Sequence, residues 1–155
     1  MAELGRGVKA GAVAGIIYGI IEGILVAILM WAMWGTISAA YGEMPGMGAA
    51  GVSLMVVLPG AIIGGFIGGI IGGIIFGLIY AALYNALPGS TSVMKGIVLA
   101  IIFWLIFTVG FGWFSASIFG MTYYGATVVI GIITSIIWGW LLGTFWDKYG
   151  AKVSA

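Results

Sequence analysis

The chain has no cysteine and no histidine. The first absence excludes disulfides, thiolate metal sites and cysteine nucleophiles. The second removes the commonest metal ligand and general base. Charge is nearly as scarce: Asp, Glu, Lys and Arg make up 6% of 155 residues, and the formal net charge is +1. Soluble domains carry roughly 25% charged residues, so there is too little polar surface here to cover a water-soluble core. So small a net charge gives no signal for nucleic acid. What remains is apolar: 63% hydrophobic residues, 29 glycines and a mean hydropathy of +1.29. The expected fold class is all-α, an integral membrane bundle forming one domain over residues 1–155.

A membrane helix needs about 20 apolar residues. Four stretches qualify, over about residues 8–34, 59–84, 96–118 and 124–146. The first has a basic flank (Arg6, Lys9) and is followed by Ser38-Ala39-Ala40, as a secretory leader would be. Its apolar run is too long for a leader's core of about 7–15 residues, so a retained span is expected. Arg6 and Lys9 precede span one, Lys95 lies between spans two and three, and Lys148 and Lys152 follow span four. With four spans, every basic residue falls on one side. The positive-inside rule then predicts a multi-pass protein of the cytoplasmic membrane with both termini cytoplasmic. In the connection from Thr36 to Leu58, the run Val52 to Leu58 is too short to cross and is expected to cap the outer face, with Pro59 in the first turn of span two; the alternative is a kinked extension of span two.

Small residues follow a pattern. Span one has Gly11, Gly15, Gly19 and Gly23 at every fourth position. Span two has two such rows, Gly60-Gly64-Gly68-Gly72 and Gly65-Gly69-Gly73-Gly77, and span four has Gly131, Ser135, Gly139 and Gly143. In lipid, this glycine-zipper spacing lets helix backbones approach closely. Two rows on span two predict that it touches two neighbours from the centre of the bundle. The small positions of spans two and four lie 62 positions apart, from Gly65 and Thr127 to Ala81 and Gly143. This suggests a tandem repeat of a two-helix unit, with halves of about 1–87 and 88–155, related by an axis along the membrane normal.

Span three is bulkier. Phe103, Phe107 and Phe111 recur at every fourth position, a face expected to meet lipid or a partner subunit. Trp31, Trp34 and Tyr41 at one end, and Tyr84, Trp146 and Tyr149 at the other, have the placement of interfacial anchors.

Glu22 is the one acid or base within the spans. It lies about 20 Å of helix beyond Lys9, near mid-bilayer, where a charge is costly and is a candidate functional group by default. Tyr18 sits one turn earlier, within reach of it. Glu22 has two readings: a hydrogen-bond partner for Thr108, Ser115, Thr134 or Ser135 on a neighbouring helix, or a proton or cation site.

A glutamate in the first of four helices is superficially similar to the small multidrug resistance transporters, but their shorter length and their aromatic and Gly-Pro patterns are not found here. A glycine-rich four-helix chain also resembles the duplicated rotor proteolipids of rotary ATPases. Those carry their acid in the last helix, where this chain has none. No residue role carries over from either. Without a nucleophile–base pair, metal cluster or cofactor motif, neither enzymatic activity nor a cofactor or metal is expected. The expected role is an accessory or structural subunit packed against other membrane subunits or further copies of itself. The alternative is a small oligomeric proton- or cation-coupled transporter or channel using Glu22.

Overall fold

The structure, a computed structural model, describes residues 2–44 and 53–150. It is all-helical, with 91% helix and no strand among the described residues. The elements are α1 (Ala2–Ala32), α2 (Trp34–Glu43), α3 (Leu54–Leu83), α4 (Ser92–Phe103), a π-helical continuation of α4 (Trp104–Phe111), and α5 (Trp113–Gly150). Four stretches are long and apolar enough to cross a membrane: Glu3–Ala32, Leu54–Leu83, Ser92–Phe111 and Trp113–Gly150.

Three boundaries differ from expectation. Met33, with φ −111° and ψ 19°, breaks the first helix, and α2 fills the start of the following connection. Leu54–Leu58 extend α3, the alternative considered for this run, instead of forming a separate capping segment, which places Pro59 inside the helix. Pro59 removes a single backbone bond, and its lost acceptor belongs to the exposed Met55 near the helix start. Val52 lies outside the described residues. Span three ends early, because the π-helical stretch closes at Gly112, whose N–H bonds the Phe107 carbonyl at 2.9 Å. Trp113–Phe119 then form a short helical arm of α5. Gly120 turns this arm into the long part of α5 through φ 85°, ψ 164°, a conformation suited to glycine.

α1 packs extensively on α3 and also on α5, while α4 packs on α5. The second span is therefore not the centre of the bundle: α3 packs chiefly on α1, while α1 and α5 each touch several helices. Only one glycine row of α3 meets a backbone. A Cβ on Gly7 or Gly11 would collide with the carbonyl of Gly77 or Gly73, and one on Gly15 with that of Gly69. Farther along, α1 and α3 part. A Cβ on Gly19 would lie 3.2 Å from Phe66 Cα, and one on Gly23 would lie 3.7 Å from the Ile62 side chain. The other row stays free: a Cβ on Gly60, Gly64 or Gly68 would meet nothing within 4 Å.

A polar knot ties the four long helices at the end carrying Arg6 and Lys95. Arg6 Nε donates to the Trp146 carbonyl (2.6 Å), joining α1 to α5. Tyr80 at the end of α3 donates to the Ser92 carbonyl (2.5 Å), and Ser92 donates to Asp147 Oδ1 (2.5 Å). Thr91 caps α4 by accepting the Met94 N–H at 3.2 Å. Around these bonds Tyr80 and Trp146 are fully buried, and Trp146 stacks on Tyr84 with centroids 4.8 Å apart. Trp146 and Tyr84 are thus packing groups rather than lipid anchors. Their pairing across α3 and α5 places their faces inside the bundle.

Candidate functional site

α1 lies between α3 and α5, and its central turns carry Tyr18 and Glu22 one turn apart. The hydroxyls of Tyr18 and of Thr134, on α5, lie near the Glu22 carboxyl, and Thr134 Oγ1 donates to the Gly131 carbonyl at 3.2 Å. Of the four hydroxyls considered from sequence, Thr134 is the one brought to the acid, and it is buried. Ser115 donates instead to the Gly112 carbonyl at 2.5 Å. Thr108 and Ser135 line a nearby cleft. One carboxyl oxygen, Glu22 Oε2, is buried with no hydrogen-bond partner.

The cleft lies between α3 on one side and α4, its π-helical continuation and α5 on the other, with a volume of about 330 Å³. Its α3 wall is made of Gly65, Gly68, Gly69 and Gly72, together with the Phe76 ring. Its other walls are aromatic. Phe76 lies 4.3 Å from Phe103 and 5.7 Å from Trp138, centroid to centroid. Trp104 closes one end, its Nε1 donating to the Val128 carbonyl at 3.1 Å. Tyr18 belongs to both features: its side chain lines the cleft and its hydroxyl lies near Glu22.

The remaining sequence candidates fall into two groups. Gly11, Gly15, Gly19, Gly69, Gly73 and Gly77 lie at the α1–α3 contact, and Gly23 and Gly65 lie where the two helices part. On α5, a Cβ at Gly139 or Gly143 would press into the α4 backbone near Ile97 or Val93. Gly131 faces the side chains of Trp104 and Thr108, and Ser135 faces the cleft. The phenylalanine row stays together: Phe103, Phe107 and Phe111 follow one another with centroids 6.1 and 6.0 Å apart. Phe107 and Phe111 are exposed, while Phe103 packs closely on Phe76 at 4.3 Å.

Comparison with family models, curated proteins and solved structures finds no match.

Two parts of the site were not foreseen. The cleft draws Gly65 and Gly69 from one α3 glycine row and Gly68 and Gly72 from the other, a grouping that repetitive spacing does not reveal. The Arg6–Trp146–Asp147 knot joins residues about 140 positions apart. A sequence signal for it did exist: Tyr80 and Tyr84 stand one helical turn apart at a span end, close before Ser92.

Proposed function

We propose that this chain is an integral membrane protein that acts as an accessory or structural subunit, packing laterally against other membrane helices. One observation carries the reading: the uncovered face of α3. Gly60 and Gly64 are exposed and have open space where a side chain would be, beside exposed Ile63 and Ile67. Small residues at this spacing on a membrane-length helix permit close backbone approach. α1 already uses the sister row in that way. In the bilayer, the end with Arg6, Lys9, Lys95 and Lys148 faces the cytoplasm.

The two halves are read as a tandem repeat of a glycine-zipper pair. α1–α3 and α4–α5 are the closest helix pairs. Gly77 and Gly139, 62 positions apart, each meet a glycine of the helix before them. Tyr84 and Trp146, equally spaced, stack on each other.

The test is substitution on the two α3 rows. Gly64→Leu should leave the thermal midpoint unchanged and disperse the assembly extracted in mild detergent. Gly73→Leu should lower the midpoint itself. An assembly that survives Gly64→Leu and Gly60→Leu would refute lateral packing on this face. A second reading, proton- or cation-coupled transport, is favoured by the partnerless Oε2 of Glu22. Under that reading Glu22→Gln folds normally and abolishes pH-dependent flux in proteoliposomes.

A further inference from the structure

We propose that the cleft between α3 and the α4–α5 pair binds an uncharged, flat-ringed lipophile bearing a carbonyl, of the quinone type, which enters sideways from the bilayer. The site requires neither a lateral partner nor transport, so it holds or fails independently of both readings above.

The cleft exists because one seam of the bundle stays open. α3 packs on α1, and α4 packs on α5, but α3 makes no comparable backbone approach to α4 or to its π-helical continuation. The gap has a volume of about 330 Å³, within the range for small-molecule pockets, roughly 300–1,000 Å³. Exposed residues stand on both of its sides, Gly68 on α3 and Phe107 on the π-helical stretch. With four helices in a bilayer, the opening therefore faces lipid. Toward the end carrying Arg6, Phe76 closes it against Phe103, with centroids 4.3 Å apart.

Depth and lining select the ligand. Gly68 lies about 20 Å of helix from either end of α3, near mid-bilayer and away from lipid headgroups. A charge is costly there, and no charged residue lines the cleft to offset it. The ligand is therefore uncharged. One wall is bare backbone at four glycines of α3, and Phe103, Trp104 and Trp138 supply rings. A flat ring can lie against the smooth wall and pack on those rings, an arrangement aromatic groups favour.

Two hydroxyls supply the polar recognition. Thr127, Thr134 and Thr144 each return their hydroxyl to a carbonyl of their own helix, at 2.8, 3.2 and 2.8 Å. Thr108 and Ser135 line the cleft from two different helices and make no such bond among the described residues. A hydroxyl in an apolar setting is costly without a partner, and a ring carbonyl provides an acceptor without adding a charge. The π-helical stretch brings Trp104, Phe107 and Thr108 to the cleft. Such stretches are rare and recur at functional sites.

The experiment compares three probes: menadione, a naphthoquinone; 2-methylnaphthalene, a matching ring without carbonyls; and 2-undecanone, a carbonyl on a flexible chain. The protein has no cysteine for a quinone to alkylate. Protein in nanodiscs of zwitterionic lipid is dialysed to equilibrium against empty discs, so that partition into lipid cancels. Menadione is expected to bind saturably, and roughly tenfold more tightly than 2-methylnaphthalene, as two neutral hydrogen bonds allow. It should also bind more tightly than 2-undecanone. Thr108→Val combined with Ser135→Ala should bring menadione down to the level of the hydrocarbon and leave the hydrocarbon unchanged. Gly72→Leu should abolish menadione binding by filling the cleft. A Cβ there approaches only the Phe76 ring, at 3.8 Å, so the fold is retained. Menadione that never saturates would overturn the proposal. Menadione that binds no better than the hydrocarbon or the chain ketone would also overturn it, and would mark the cleft as a groove for lipid tails. Full menadione binding by Gly72→Leu or by the hydroxyl double variant would contradict it as well. The wild-type comparison needs no variant and decides the matter even if a variant fails to fold.

Discussion

At the residue scale, two kinds of side chain act differently: those that are absent and one that is ionisable. Gly11 and Gly73 matter for what they lack, since any Cβ would strike a facing carbonyl. Glu22 matters for what it has. Its carboxyl lies near hydroxyls on its own helix and on α5. Glu22→Gln preserves shape and a hydrogen-bonding group, so the thermal midpoint should stay close to wild type. Glu22→Leu should cost about 0.6–2 kcal/mol, the range for interhelical hydrogen bonds in membranes. Unfolding in mixed micelles measures both. Equal loss in the two variants would mean that ionisation, not hydrogen bonding, holds the site. At Phe107, which is exposed, substitution by Leu should be nearly neutral in the same assay.

At the element scale, the pairing of α1 with α3 dominates. Gly69→Leu and Gly73→Leu should separate these helices and lower the midpoint markedly, whereas Gly64→Leu should not, since its side chain enters open space. Parallel melting curves of the three variants check this. Identical melting for all three would mean that neither row is a contact surface. The sequence made the four helices legible through apolar length, and the glycine spacing indicated rows suited to contact. It did not indicate which α3 row would be covered, because the rows are offset by one residue and equivalent in composition. Once α1 takes one row, the other is left uncovered, with Gly68 and Gly72 beside the cleft. Trp146 had the position of an interfacial anchor by sequence. Its burial follows from stacking on Tyr84 and from Arg6 above its ring, 4.2 Å from the centroid.

At the scale of the whole molecule, the basic residues and the aromatic knot gather at one end, and Glu43 lies at the far end of α2. With four helices in the bilayer, reporters placed at Ser90 and after Ala155 should read cytoplasmic, and one at Glu43 external. Opposite compartments for Ser90 and Ala155 would break the four-span topology. The central claim is lateral association through the free row of α3, and native mass spectrometry from the mildest detergent that extracts the protein tests it most directly. The account predicts that wild type flies as an assembly of defined stoichiometry heavier than the 16.1 kDa chain. It further predicts that the Gly60→Leu, Gly64→Leu double variant flies as a folded monomer with an unchanged melting midpoint. A monomeric wild type, or a double variant whose assembly is intact, would contradict it.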